Sequence, residues 1–363
     1  MTVPIPVRAI PHAVLATIAV GLACRPGKPA ELPVPATVPV LEPQVSGTTA
    51  LLQAVSAPSE RVAWVSGHAA AVLRTTNGGE TWKRLTVPGA AADSLQFRDV
   101  HAVDARVAYL LAAGTGARSR IYKTTDGGRS WLLQFTNTDS SAFYDCFAFW
   151  NAGRGVVFSD AVAGRFIVRV TEDGGTHWTP VPEEALPPAL AGEGAFAASG
   201  ACVVTLAERF AWIGTGAADT AHVLATTDGG RSWRSVVAPV VAGSSAGIAA
   251  LAFHDTLHGM ALGGKLGNPA EWSDNVATTA DGGRTWQLVG RPKFSGAVYG
   301  ATAVPGREGM TVAVGPKGLD YSADGGANWI SVDTLAYWSV GFASSRIGWA
   351  VGPEGRVVKL RLL

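Results

Sequence analysis

Six short stretches of the 363-residue chain place a carboxylate or amide before two glycines, with Trp three positions after the second. The acidic position holds Asn77, Asp126, Asp173, Asp228, Asp281 and Asp324, and the aromatic position holds Trp82, Trp131, Trp178, Trp233, Trp286 and Trp329. An aspartate in such a turn could act as a general acid or as a metal ligand. Either role needs several groups to converge on one atom. These copies recur at Trp-to-Trp spacings of 49, 47, 55, 53 and 43 residues, so they are distributed along a repeat. The residue types suit a turn instead. Asp and Asn accept backbone N–H groups of their own turn, glycine supplies positive φ, and Trp contributes a large apolar face. The boxes are therefore expected to be structural, with no metal site among them.

Other chemistry is weaker. Glycoside hydrolysis needs two carboxylates facing each other across a cleft. Asp99, Asp145, Asp160, Glu193, Asp274 and Asp320 fall at or near expected strand ends and could approach a common channel. The run from Gly243 to Gly247 matches Gly-x-Ser-x-Gly, but it lies between strands and not on a strand–turn–helix. His254 and His258 are four apart without the glutamate of a zinc helix. There is no Gly-rich phosphate loop and no Cys-x-x-Cys, so no cofactor is expected. A net charge of +1 gives no basic footprint for nucleic acid.

The elements that position these residues follow from the period. A period of roughly 40–55 residues marks a solenoid or propeller. Each unit reads as an apolar strand, a second strand, a third running into the box, and a fourth after Trp. Four short strands per unit make one propeller blade. A seventh unit, from about residue 337, lacks the box and supplies three strands. An open blade edge would expose unpaired backbone. A strand around 37–41 or 44–46 is therefore expected to close the ring. The sequence predicts an all-β, seven-bladed β-propeller over residues 45–363, with its N-terminal strand closing the last blade.

First strands line a propeller's channel. Arg98, Asp99, Tyr144, Asp145, Ser199, Tyr299 and Trp338 are expected at its mouth, with Asp160 and Asp320 as strand-end acids. Two inserts, 180–199 and 265–275, bring Glu193 and Asn275. Extra loop on a rigid ring is where binding residues concentrate. Cys146 and Cys202 occupy matching places in neighbouring repeats. A bridge between adjacent strands and two small buried thiols both fit, the thiols being favoured.

Residues 1–24 read as an export signal, with an apolar run too short to span a bilayer ending at Ala23-Cys24. Cys24 is the candidate for lipidation, although Gly21 stands where such signals usually carry Leu. Residues 25–44 are Pro-rich and are expected to form an extended tether.

The box Ser/Thr-x-Asp-x-Gly-x-Thr/Ser-Trp resembles the Asp-box, or BNR, repeat of sialidases, other glycosidases and non-enzymatic propellers. Six boxes in seven short units are similar to the photosystem II stability/assembly factor family, over roughly residues 45–363. That resemblance implies a non-catalytic assembly factor that binds a membrane-protein complex. A sialidase-like chain would carry an Arg-Ile-Pro element, which is missing here. The expectation is an exported monomer, periplasmic or lipid-anchored, that binds another protein; the alternative is a glycan-binding protein or glycoside hydrolase.

Overall fold

The computed structural model describes residues 1–4, 38–271 and 273–363. The expected leader, Cys24 and the tether up to residue 37 lie outside the described residues. The propeller body begins after residue 36.

Strands are numbered in chain order, starting with β1 (Val40–Gln44). Blade I is β2 (Leu52–Ser59), β3 (Val62–Gly67), β4 (Val72–Thr75) and β5 (Lys83–Arg84). Blade II is β6 (Phe97–Ala102), β7 (Ala108–Ala112), β8 (Arg120–Thr124) and β9 (Leu132–Thr136). Blade III is β10 (Tyr144–Phe149), β11 (Gly155–Val162), β12 (Arg165–Thr171) and β13 (Thr179–Pro180). Blade IV is β14 (Val203–Leu206), β15 (Phe210–Gly214), β16 (Ala221–Thr226) and β17 (Arg234–Ala238). Blade V is β18 (Ala246–Phe253), β19 (Gly259–Lys265), β20 (Val276–Thr279) and β21 (Gln287–Leu288). Blade VI is β22 (Gly300–Ala303), β23 (Thr311–Gly315), β24 (Gly318–Ser322) and β25 (Ile330–Asp333).

Blade VII combines β26 (Ser339–Phe342), β27 (Ile347–Val351) and β28 (Val357–Arg361) with β1 as its outer strand. Val40 pairs with Arg361 and Gln44 with Val357. The ring is thus closed by a strand inside the stretch read as tether, so the fold starts five residues earlier than residue 45. The Gln44 side chain tightens the joint. Its Oε1 accepts the indole N–H groups of Trp82 at 3.0 Å and Trp349 at 3.2 Å.

Second strands sit between blades and are apolar on both faces; β7 and β27 are buried throughout. Outer strands run from two to five residues, and the shortest, such as β5 (Lys83-Arg84), present a short edge.

Each box closes the hairpin between third and fourth strands. In blade II the Thr124 hydroxyl donates to Asp126 Oδ1 at 2.9 Å and accepts from Gly128 N–H at 2.8 Å. Asp126 then accepts the N–H groups of Arg129 and Ser130 and the Ser130 hydroxyl. Those donors hold the Asp126 carboxyl far below the usual carboxylate range. The hydroxyl-to-Asx bond recurs at Asn77, Asp173, Asp228, Asp281 and Asp324, and at Asn77 the amide Nδ2 donates to Thr81 Oγ1 where the aspartate accepts.

The boxes also tie blade to blade. The first box glycine offers its carbonyl to a cation from the preceding blade: Lys359 to Gly78, Arg74 to Gly127, Lys123 to Gly174, Arg154 to Gly229 and Arg234 to Gly282.

Candidate functional site

The first strands of blades I, II, III and V each carry a β-bulge. The register slips between Leu52 and Ala54, Phe97 and Asp99, Tyr144 and Cys146, and Ile248 and Ala250. The bulged residues are Gln53, Arg98, Asp145 and Ala249. A bulge breaks alternation and re-aims one side chain. Three consecutive bulges here deliver an amide, a guanidinium and a carboxyl to one mouth of the channel, into a cavity of about 410 Å³. His68 joins from the turn between β3 and β4 and Asp160 from within β11, and Tyr299 and Trp338 face them from the far side.

The floor is the first insert. Residues 195–198 line this cavity, whereas Ser199, Gly200 and Ala201 line a second cavity of about 330 Å³ on the other side. That second cavity is walled by the first strands of all seven blades. The insert is therefore a plug across the channel and not a surface loop. Around it, Asp160 Oδ1 accepts Ala195 N–H at 3.0 Å, Gln53 Nε2 donates to Ala198 O at 3.5 Å, and Ser339 Oγ donates to Ser199 O at 3.1 Å. Glycine is required at 194, where a Cβ would run into the Asp160 carboxylate. Glu193 anchors the plug to blade IV. It accepts Thr215 Oγ1 at 2.6 Å, His222 Nδ1 at 2.8 Å and Leu190 N–H at 2.8 Å. Burial pushes the Glu193 carboxyl up, but His222 and the two other donors outweigh it and leave it lowered.

Cys146 and Cys202 form a disulfide, with Cα atoms 6.2 Å apart. This replaces the favoured reading of two separate thiols. The reason is position: the plug returns to the blade IV first strand directly beside β10, within disulfide reach.

Electrostatics at the mouth centre on Asp145 and Asp160. Burial pushes the Asp145 carboxyl well up, and the neighbouring Asp160 charge adds to it. Burial also raises Asp160, while a hydrogen bond from Asp145 moderates the rise. Two adjoining carboxyls resist ionising together, so ionisation of either one disfavours that of the other. Arg98 is beside Asp145; burial lowers its pKa and Asp145 opposes the shift. His68 is pushed down by burial and by Arg98, which keeps it neutral. Three buried atoms here have no hydrogen-bond partner among the described residues: Gln53 Oε1, His68 Nε2 and Asp145 Oδ2. Opposite them, the Tyr299 and Trp338 rings lie 4.7 Å apart at 54°.

The other expected residues sit elsewhere. Asp99 follows Arg98 and points the opposite way, accepting Phe147 N–H at 2.9 Å and lining the second cavity with Ser199. Tyr144 turns into the seam between blades II and III, where its hydroxyl accepts from Arg169 at 2.8 Å. Asp320 caps the backbone N–H groups of Lys293 and Phe294. Asn275 is buried and donates to Gly296 O. All four do structural work away from the mouth. Gln53 and His68 were the residues that sequence reading missed. Gln53 had a signal: a buried amide in the apolar run Leu52-Gln53-Ala54, in register with Arg98.

No family model and no curated protein matches the chain. Solved structures do. YCF48 bound to D1 peptide superposes with a TM-score of 0.60 at 17% identity, covering 90% of this chain and 100% of that one. YCF48 from Cyanidioschyzon merolae gives 0.59 at 16%, covering 88% and 98%. The GH74 xyloglucanase from Xanthomonas campestris gives 0.63 at 16%, covering 88% of this chain and 53% of the enzyme. The chain is a seven-bladed propeller of the kind they share. At these identities the likeness extends to the fold, which houses binding proteins and hydrolases alike.

Proposed function

We propose that this chain is a non-catalytic, protein-binding propeller whose mouth in blades I–III receives a segment of another polypeptide. The observation that carries this reading is the row of bulged side chains. They present buried, unfilled hydrogen-bonding atoms next to a guanidinium and opposite an aromatic pair, a mixture suited to protein recognition. The likeness to a YCF48 solved with a peptide supports it. A role in assembling or maintaining a membrane or envelope complex follows from that likeness together with the leader-like start. The Cys146–Cys202 bridge fits an oxidising compartment and so supports export. Anchoring through Cys24 and a monomeric state belong to the same proposal.

Glycoside hydrolysis is the second reading, favoured by the likeness to the GH74 enzyme. The mouth argues against it. Asp145 and Asp160 are within hydrogen-bonding reach of each other, whereas hydrolysis of either stereochemistry needs carboxyls roughly 5–9.5 Å apart. Of the remaining expected acids, Asp99, Glu193 and Asp320 are engaged with backbone or side-chain donors, and Asp274 is exposed.

The test is capture of partners from membranes with the tagged full chain, read by mass spectrometry, beside Trp338→Ala and Arg98→Ala. Loss of an aromatic anchor is expected to cost about 2 kcal/mol of affinity. A specific partner retained by wild type and lost by both variants supports the proposal. Capture of nothing, together with binding on a glycan array, would overturn it. Unchanged membrane association of Cys24→Ser would remove the lipid anchor.

A further inference from the structure

The propeller contains its own control experiment at the seams between blades. In blades I, II and VII, a second-strand aromatic pairs across the sheet with a third-strand cation: Trp64 with Arg74, Tyr109 with Lys123, Trp349 with Lys359. Each cation lies 5.1–5.7 Å from its ring and reaches the first glycine carbonyl of the next box. Blades III and IV reach the next carbonyl with Arg154 and Arg234 instead. Blade V breaks the pattern twice. Met260 and Thr278 occupy the aromatic and cationic places. Gln287 holds the place of Arg234, one residue after the box Trp. A cavity of about 400 Å³ opens there, bordered by Met260, Thr278, Gln287 and Gly325, whose carbonyl is the one left without a cation. Glu308 and Asp255 add carboxylates to its wall.

We infer that the seam between blades V and VI is a binding site for a guanidinium or ammonium group, supplied by an Arg or Lys side chain of another polypeptide. Five seams show what the box carbonyl accepts, a basic head group, and four of them set that group over an aromatic ring. The sixth keeps the carbonyl and adds the Glu308 carboxylate, and among the described residues no Lys or Arg reaches that carbonyl; the His258 ring on the wall is taken up by Asp255, 2.9 Å away. Met260 retains a polarisable surface under the head group. The site lies at the end of β18 opposite its bulge, so it is on the other face of the ring from the mouth and stands or falls separately.

The three methionines make the test direct. Methyl-labelled full-length protein is titrated with a short peptide carrying one Arg, with the citrulline peptide as neutral isostere, and with putrescine. The expected result is a saturable shift of the Met260 methyl with the Arg peptide alone. Glu308→Gln should weaken it, and Thr278→Lys, which restores the internal cation, should cut affinity at least about tenfold, the size of one charge-assisted hydrogen bond. Gln287→Arg tests the same blockade should Thr278→Lys fail to fold. Equal shifts with citrulline, or binding undiminished in both blocking variants, would overturn the inference. Equal binding of putrescine would overturn the polypeptide source.

Discussion

At the scale of single residues, the carboxyls fall into two groups with opposite pH behaviour. Asp173 and Asp255 are exposed acids held down to about 2 from 3.8: Asp173 by the backbone and side-chain hydrogen bonds of His177, and Asp255, which burial pushes up, by hydrogen bonds from His258 and Leu257 that together outweigh it. A depressed group contributes stability above its unfolded value and loses it as pH falls from 3.8 towards 2. Asp99, Asp145, Asp160 and Asp320 are raised, first by burial. Their folded forms bind the extra proton, so their contribution is fully present below 3.8 and is lost as pH rises through the raised values. Asp145→Asn mimics the protonated form. It is expected to fold normally and to flatten the decline of Tm above pH 4, leaving the acid limb unchanged. Thermal melts across pH 3–8 check this, and identical slopes in variant and wild type would refute a raised Asp145 carboxyl.

At the scale of elements, the box and the plug carry different loads. Thr124→Val keeps the shape of a buried residue but strands the Gly128 N–H, which the hydroxyl satisfies. It should cost about 1–3 kcal/mol in a chemical denaturation series. Replacing Cys146 and Cys202 together by serine removes a cross-link of 56 residues' separation. It should lower stability by about 2–4 kcal/mol and expose the plug to limited proteolysis ahead of the blades. The blades were legible because six boxes announce them, Arg98, Asp145, Tyr299 and Trp338 were legible at the mouth by repeat register, and Asp160 was legible only as a strand-end acid. Tyr144, Asp99 and Asp320 were misplaced because alternation along a strand separates neighbours that share a register, and a bulge shifts that alternation by one. The plug was opaque for another reason. An insert's length is visible in sequence, but its direction depends on partners such as Ala195, Ala198 and Ser199 meeting blades far away in the chain.

At the scale of the whole molecule, closure depends on β1. Removing residues 1–44 bares the outer edge of β28 and takes the Gln44 oxygen from two tryptophans. Such a protein should associate through the bared edge, whereas removal of residues 1–36 should leave a folded ring; light scattering and melting curves separate the outcomes. The joint also has a consequence in time. Val40 pairs with Arg361, so the first strand to leave the ribosome joins the last blade. At synthesis rates of about 5–20 residues per second, it waits roughly 15–65 s for its partner. During that interval six blades can stack and tie to one another, but the ring itself closes only when its final strand arrives.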